Sequence, residues 1–87
     1  MPTLVRAVFP GTFDPITLGH EDMLRRACAL FGEVIVAVAM AHHKKTLFTL
    51  DERLSITRQA LADMPKVRVE PFEGLVTEFA VAHHAQV

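Results

Sequence analysis

One segment, Pro10-Gly11-Thr12-Phe13-Asp14-Pro15-Ile16-Thr17-Leu18-Gly19-His20, gathers the residue types that can hold a phosphate. Gly11 lets the backbone approach a ligand closely and take an unusual φ. Thr12 offers a hydroxyl and a backbone N–H. Phe13 reads as a packing side chain whose own N–H can meet a phosphate. Asp14 suits either a bond to its own loop backbone, as turn aspartates commonly make, or a contact with substrate. Pro15 stiffens the loop, and Thr17 is a natural helix cap. Gly19 leaves room for a phosphate beside the helix start. His20 then falls in the first helical turn, where unsatisfied N–H groups and the helix dipole attract anions. The arrangement suits a reaction on phosphate groups.

Other chemistry-bearing residues read more plainly. Lys44 and Lys45 form a pair in a surface loop, where such pairs are usually solvated charge. His42-His43 and His83-His84 resemble metal-ligand pairs, but adjacent histidines point apart and no Cys or carboxylate cluster accompanies them. No metal is assigned to them. Cys28 adjoins an apolar helical stripe and reads as a small buried side chain rather than a nucleophile. Val76 is most simply a core residue.

Those residues need a scaffold, and the remaining sequence describes one. Leu4 to Phe9 and Val34 to Ala39 are β-type runs, the second apolar on both faces as in the middle of a parallel sheet. Val67-Arg68-Val69-Glu70 alternates, so it belongs nearer an edge. Between them, Gly19 to Phe31 carries Met23, Leu24, Ala27, Leu30 and Phe31 as one helical stripe, with Gly32 in the position after the helix that favours glycine. Thr49-Leu50-Asp51-Glu52 is a capping box opening a second helix through Leu54, Leu61 and Met64 to Pro65. A third helix, from Glu73 to His83, places Leu75, Val76, Phe79 and Ala80 on one face. Ala85-Gln86-Val87 reads as the start of another strand. The βαβαβα order implies right-handed crossovers onto a parallel sheet. The expected fold is therefore α/β, a Rossmann-like doubly wound parallel sheet cut after its third βα unit. In such sheets ligands bind beyond the carboxyl ends of the strands.

The chain has 87 residues, 51% of them hydrophobic, with a formal net charge of -1. That is one small domain at most. No basic stripe supports nonspecific nucleic-acid binding. The longest nearly apolar run, Val34 to Ala41, is too short to span a bilayer. A single cysteine, and a start without the apolar core of a signal peptide, fit a reducing cytoplasm.

The Pro10 to His20 segment resembles the signature of the nucleotidylyltransferase superfamily, whose hallmark is a histidine-x-glycine-histidine motif opening the first helix. Here Thr17 replaces the first histidine. Together with Pro10-Gly11-Thr12-Phe13-Asp14-Pro15, that variant is similar to bacterial phosphopantetheine adenylyltransferases. Lys44-Lys45-Thr46-Leu47-Phe48-Thr49-Leu50-Asp51-Glu52-Arg53 resembles the same family's loop and second helix, and Phe72-Glu73-Gly74-Leu75-Val76 more loosely its pantetheine-facing segment. The likeness covers essentially the whole chain, as the N-terminal part of a single domain (residues 1–87).

It implies transfer of AMP from ATP to 4′-phosphopantetheine, giving dephospho-coenzyme A and pyrophosphate. It implies His20 and Lys44 as donors to the α-phosphate, and Thr12, Phe13 and His20 as ATP contacts. Thr12, Lys44 and Val76 would meet phosphopantetheine. Magnesium would ride with ATP, and the full-length protein would be a homo-oligomer, by resemblance a hexamer. Further ATP contacts come, in the family, from an arginine-glycine segment and a serine-rich segment past Val87. A nicotinamide mononucleotide or glycerol 3-phosphate acceptor, or a noncatalytic nucleotide-binding module, are the alternatives.

Overall fold

The computed structural model describes residues 5–40 and 46–85. Three strands and three helices alternate along them: β1 (Arg6–Gly11), α1 (Leu18–Leu30), β2 (Glu33–Ala39), α2 (Leu50–Ala60), β3 (Val67–Phe72) and α3 (Val76–Ala82). The strands are parallel and lie in the order β1-β2-β3. Register pairs Ala7 with Val34 and Val34 with Val67. The β-branched run of β2 takes the centre because only there are both faces covered, and Val34 to Val38 are fully buried.

Strand alternation sorts the helices. Val34, Val36 and Val38 join Leu24 and Ala27 of α1 and Leu54, Leu61 and Met64 of the α2 region in one core cluster, so α1 and α2 share a face. Arg6 and Phe72 belong to the opposite face by register, with Ile35 and Ala37. There an Arg6 N–H donates to the His83 carbonyl at 3.3 Å, and the Phe72 and Phe79 rings meet at 5.6 Å. Those contacts put α3 on the second face. Helices on both sides of a parallel sheet make the doubly wound arrangement that the element order implies.

Several boundaries differ from expectation for identifiable reasons. Pro10 and Gly11 continue β1 rather than ending it, and Pro71 lies within β3. Proline lacks the ladder N–H and is tolerated on outer strands. Both prolines sit on outer strands of the described sheet, and β2 has none. In α1, Leu24 and Ala27 are buried but Met23 and Leu30 are exposed, Leu30 at 78%. The stripe is therefore narrower than its apolar composition suggests. Gly32 takes no positive φ; its N–H donates to the Val5 carbonyl at 2.9 Å. The third helix starts at Val76 rather than Glu73, because Gly74 adopts φ 85° and interrupts the turn. No residue of α3 is buried. Ala85 is not in a strand, and Gln86 and Val87 lie outside the described residues. No helix among the described residues is long and apolar enough to cross a membrane.

Candidate active site at the carboxyl ends of the strands

The loop from β1 to α1 leaves the carboxyl end of β1 and is ordered from both of its ends. Thr17 is the N-cap of α1, and its Oγ1 accepts the His20 N–H at 3.2 Å. His20 closes the box in the position where glutamate usually stands: the Thr17 N–H donates to its Nδ1 at 3.1 Å. A backbone N–H can only donate, so Nδ1 is the acceptor. In the neutral ring the proton then sits on Nε2, at the far tip of the imidazole. The cap thus selects a tautomer that presents a single N–H donor away from the helix. Thr17 caps as its sequence position implies, and His20 both caps and keeps a donor in reserve.

Phe13 holds the ring from the side. It is 5% exposed, and its ring meets that of His20 edge-on, with centroids 5.0 Å apart and planes at 63°. Its φ of 50° lies in the left-handed region, which non-glycine residues rarely adopt. Gly11 was expected to supply the unusual backbone angle, yet its φ is not positive. What requires glycine there is space: a Cβ would stand 2.9 Å from Phe13 Cε2. The Phe13 N–H has no hydrogen-bond partner among the described residues.

Two side chains tie this loop to the rest of the carboxyl edge. Asp14 accepts the N–H groups of Leu47 at 2.6 Å and Phe48 at 2.9 Å, one on each oxygen. Its partners are backbone amides, but of a different loop from its own. Arg53 of α2, only 3% exposed, donates from one terminal nitrogen to the carbonyls of Thr12 at 2.9 Å and Ala39 at 2.8 Å. Its Nε donates to the Phe48 carbonyl at 3.2 Å. Sequence reading passed over Arg53. The available signal was its place among Leu50, Leu54, Thr57 and Leu61, on the stripe that faces the core.

The structure therefore brings Thr12, Phe13 and His20 together. It places Val76, half-buried, at the first turn of α3 beyond the carboxyl end of β3. Lys44 and Lys45, like His42 and His43, lie outside the described residues. His83 stacks on Phe79 with centroids 4.0 Å apart, its Nδ1 3.0 Å from the Phe79 carbonyl, while His84 is exposed. Cys28 is half-buried against the core. Among the described residues no three His, Cys, Asp or Glu side chains are grouped as metal ligands would be.

The sequence pattern of the cytidylyltransferase-like family matches residues 8–87, from the middle of β1 onward. The chain belongs to that family. Within it, the chain is 74% identical over 78 residues to a phosphopantetheine adenylyltransferase of Acidovorax sp. (strain JS42), covering 90% of this chain and 47% of that protein. A protein of the same name from Nitrosospira multiformis is 56% identical over 82 residues, covering 94% of this chain and 50% of its own length. The chain thus spans about half the length of these relatives. The family fold is seen again in a NadR protein solved with NAD and AMP-PNP, with TM-score 0.76 and 19% identity, over 98% of this chain and 28% of that one. A lipopolysaccharide core biosynthesis protein from Thermoplasma volcanium GSS1 gives TM-score 0.71 and 21% identity, over 95% of this chain and 70% of that one.

Proposed function

We propose that this chain carries the nucleotide-transfer loop of an adenylyltransferase that moves AMP from ATP to 4′-phosphopantetheine, releasing pyrophosphate. One observation carries the reading. His20 is locked by the Thr17 cap with Nε2–H outward, beside a Phe13 N–H that has no partner among the described residues, at the carboxyl end of β1. An imidazole N–H and a backbone N–H in the loop that opens α1 are the kinds of donor a transferring phosphate requires. The high identity to named phosphopantetheine adenylyltransferases supports the choice of acceptor.

In the reaction an oxygen of the phosphopantetheine phosphate attacks the α-phosphorus of ATP. The bond from that phosphorus to the bridging oxygen breaks, and pyrophosphate leaves with the electron pair. No protein nucleophile takes part, so the protein's work is placement and charge stabilisation. His20 donates from Nε2 to an α-phosphate oxygen as its charge grows. The Phe13 N–H, with that of Thr12, holds nucleotide phosphate. The Thr12 hydroxyl orients the attacking phosphate, Lys44 supplies positive charge to the same oxygens, and Val76 meets the pantetheine arm. Asp14 holds the amides of Leu47 and Phe48, and magnesium is the ion the reaction would use. The ion enters on ATP oxygens, as magnesium commonly does. The setting is the cytoplasm, and the working form of the full-length enzyme is a homo-oligomer, a hexamer by family resemblance.

A coupled pyrophosphate-release assay on the full-length protein tests the proposal with phosphopantetheine, nicotinamide mononucleotide and glycerol 3-phosphate as acceptors. Turnover is expected with phosphopantetheine alone. Turnover with either of the others and none with phosphopantetheine overturns it.

A further inference from the structure

The buried guanidinium of Arg53 has no carboxylate partner among the described residues, and its charge is met by three backbone carbonyls instead. A charge that costly to bury persists only where its donors are directed. These carbonyls come from three separate segments: Thr12 after β1, Ala39 at the end of β2, and Phe48 just ahead of the α2 cap. All three segments meet at the carboxyl edge where the loop of His20 lies.

The Thr12 contact fixes a direction as well as a place. The Thr12–Phe13 peptide is trans, since among the described residues only the Asp14–Pro15 bond is cis. In a planar trans peptide the C=O and the following N–H point opposite ways. A Thr12 carbonyl drawn inward onto Arg53 therefore turns the Phe13 N–H outward, where it has no partner among the described residues. From that peptide Phe13 enters its left-handed conformation, with its ring edge-on to His20.

We infer that Arg53 is a positioning residue: by gripping the Thr12 carbonyl from inside, it aims the Phe13 amide at a phosphate oxygen of the nucleotide. The inference rests on the phosphate-holding part of the proposed function and not on the identity of the acceptor.

The test is amide NMR of the labelled full-length protein, wild type, Arg53→Met and Arg53→Lys, with ATP as the probe. In the unliganded wild type the Phe13 N–H is expected to exchange freely although the residue is buried. ATP should then move its resonance downfield. Arg53→Met should keep the dispersed β2 amides, shift the Phe13 amide before any ligand is added, and weaken ATP binding about tenfold, the scale of one charged hydrogen bond. Lysine keeps the charge but cannot fork between Thr12, Ala39 and Phe48, so Arg53→Lys should fold and fall between the two. A protected Phe13 amide in the wild type overturns the inference. So does a Phe13 resonance and ATP affinity unchanged in either folded variant. A wild-type Phe13 amide that ignores ATP overturns the phosphate-holding loop itself, and this inference with it. An ATP response without turnover of phosphopantetheine leaves Arg53 in its role and sinks only the acceptor.

Discussion

His20 caps α1 and, in the proposed reaction, donates to the transferring phosphate, and a pair of substitutions separates the two. His20→Ala removes the acceptor for the Thr17 N–H, so the chain should lose about 1 kcal/mol in a denaturant melt, the ordinary scale of a lost cap. The same change should lower kcat of the full-length enzyme on the order of a hundredfold, the cost of one transition-state donor. His20→Glu restores the usual capping-box partner and so should recover the stability while leaving kcat at or below the alanine value. Recovery of rate along with stability would reduce His20 to a cap. The fully buried Thr57 makes the opposite case: its hydroxyl has no hydrogen-bond partner among the described residues. Thr57→Val, equal in shape, should be neutral or stabilising by up to about 1 kcal/mol in a thermal melt, because it removes an unmet polar group. A loss of stability would show that the hydroxyl is satisfied in solution. Sequence made Thr17 and Thr49 legible because a cap acts across three residues. Arg53 was not legible, since its partners lie up to 41 positions away and are carbonyls that every residue carries. Gly11 was misread for a related reason: what forbids a Cβ there is a ring placed by the folded loop.

At the level of elements, Asp14 acts as a staple between the loop after β1 and the residues that lead into α2. Asp14→Ala should leave the sheet intact and free the amides of Leu47 and Phe48, raising their hydrogen exchange selectively, at a cost of about 1–3 kcal/mol for two amide bonds to a carboxylate. Equal acceleration across β2 would mean that the loop and the core unfold as one unit. The strands and α2 were readable because burial and capping leave local marks: six consecutive apolar residues in β2, and a threonine with a glutamate three positions on. The α1 stripe was overread because Met23 and Leu30 are apolar yet stay exposed. Helix α3 was placed early because the pattern of Leu75, Val76, Phe79 and Ala80 carries no sign that Gly74 adopts a left-handed angle.

Across the molecule, one edge of the sheet governs behaviour. Among the described residues β1 pairs only with β2, and its other side has no neighbouring strand. A groove lined by Phe9, Met23, Leu30 and Phe31 runs alongside. Unpaired edges template association, and a chain this short has little stability to spare. The isolated chain should therefore pair with copies of itself, with a melting temperature that rises with concentration and a sedimentation profile heavier than a monomer. A sharp, concentration-independent melt from a monodisperse monomer would show that the open edge is no liability. Arg53 brings a different consequence, for how the sequence can drift. Its grip on three segments falls on main-chain oxygens, whose positions hardly depend on which side chains accompany them. The segments it joins can exchange residues while the junction stays as it is, whereas the arginine has no substitute that reaches all three. In a saturation library selected for folded chains, positions 39 and 48 should accept broad replacement, and position 53 should return arginine almost alone.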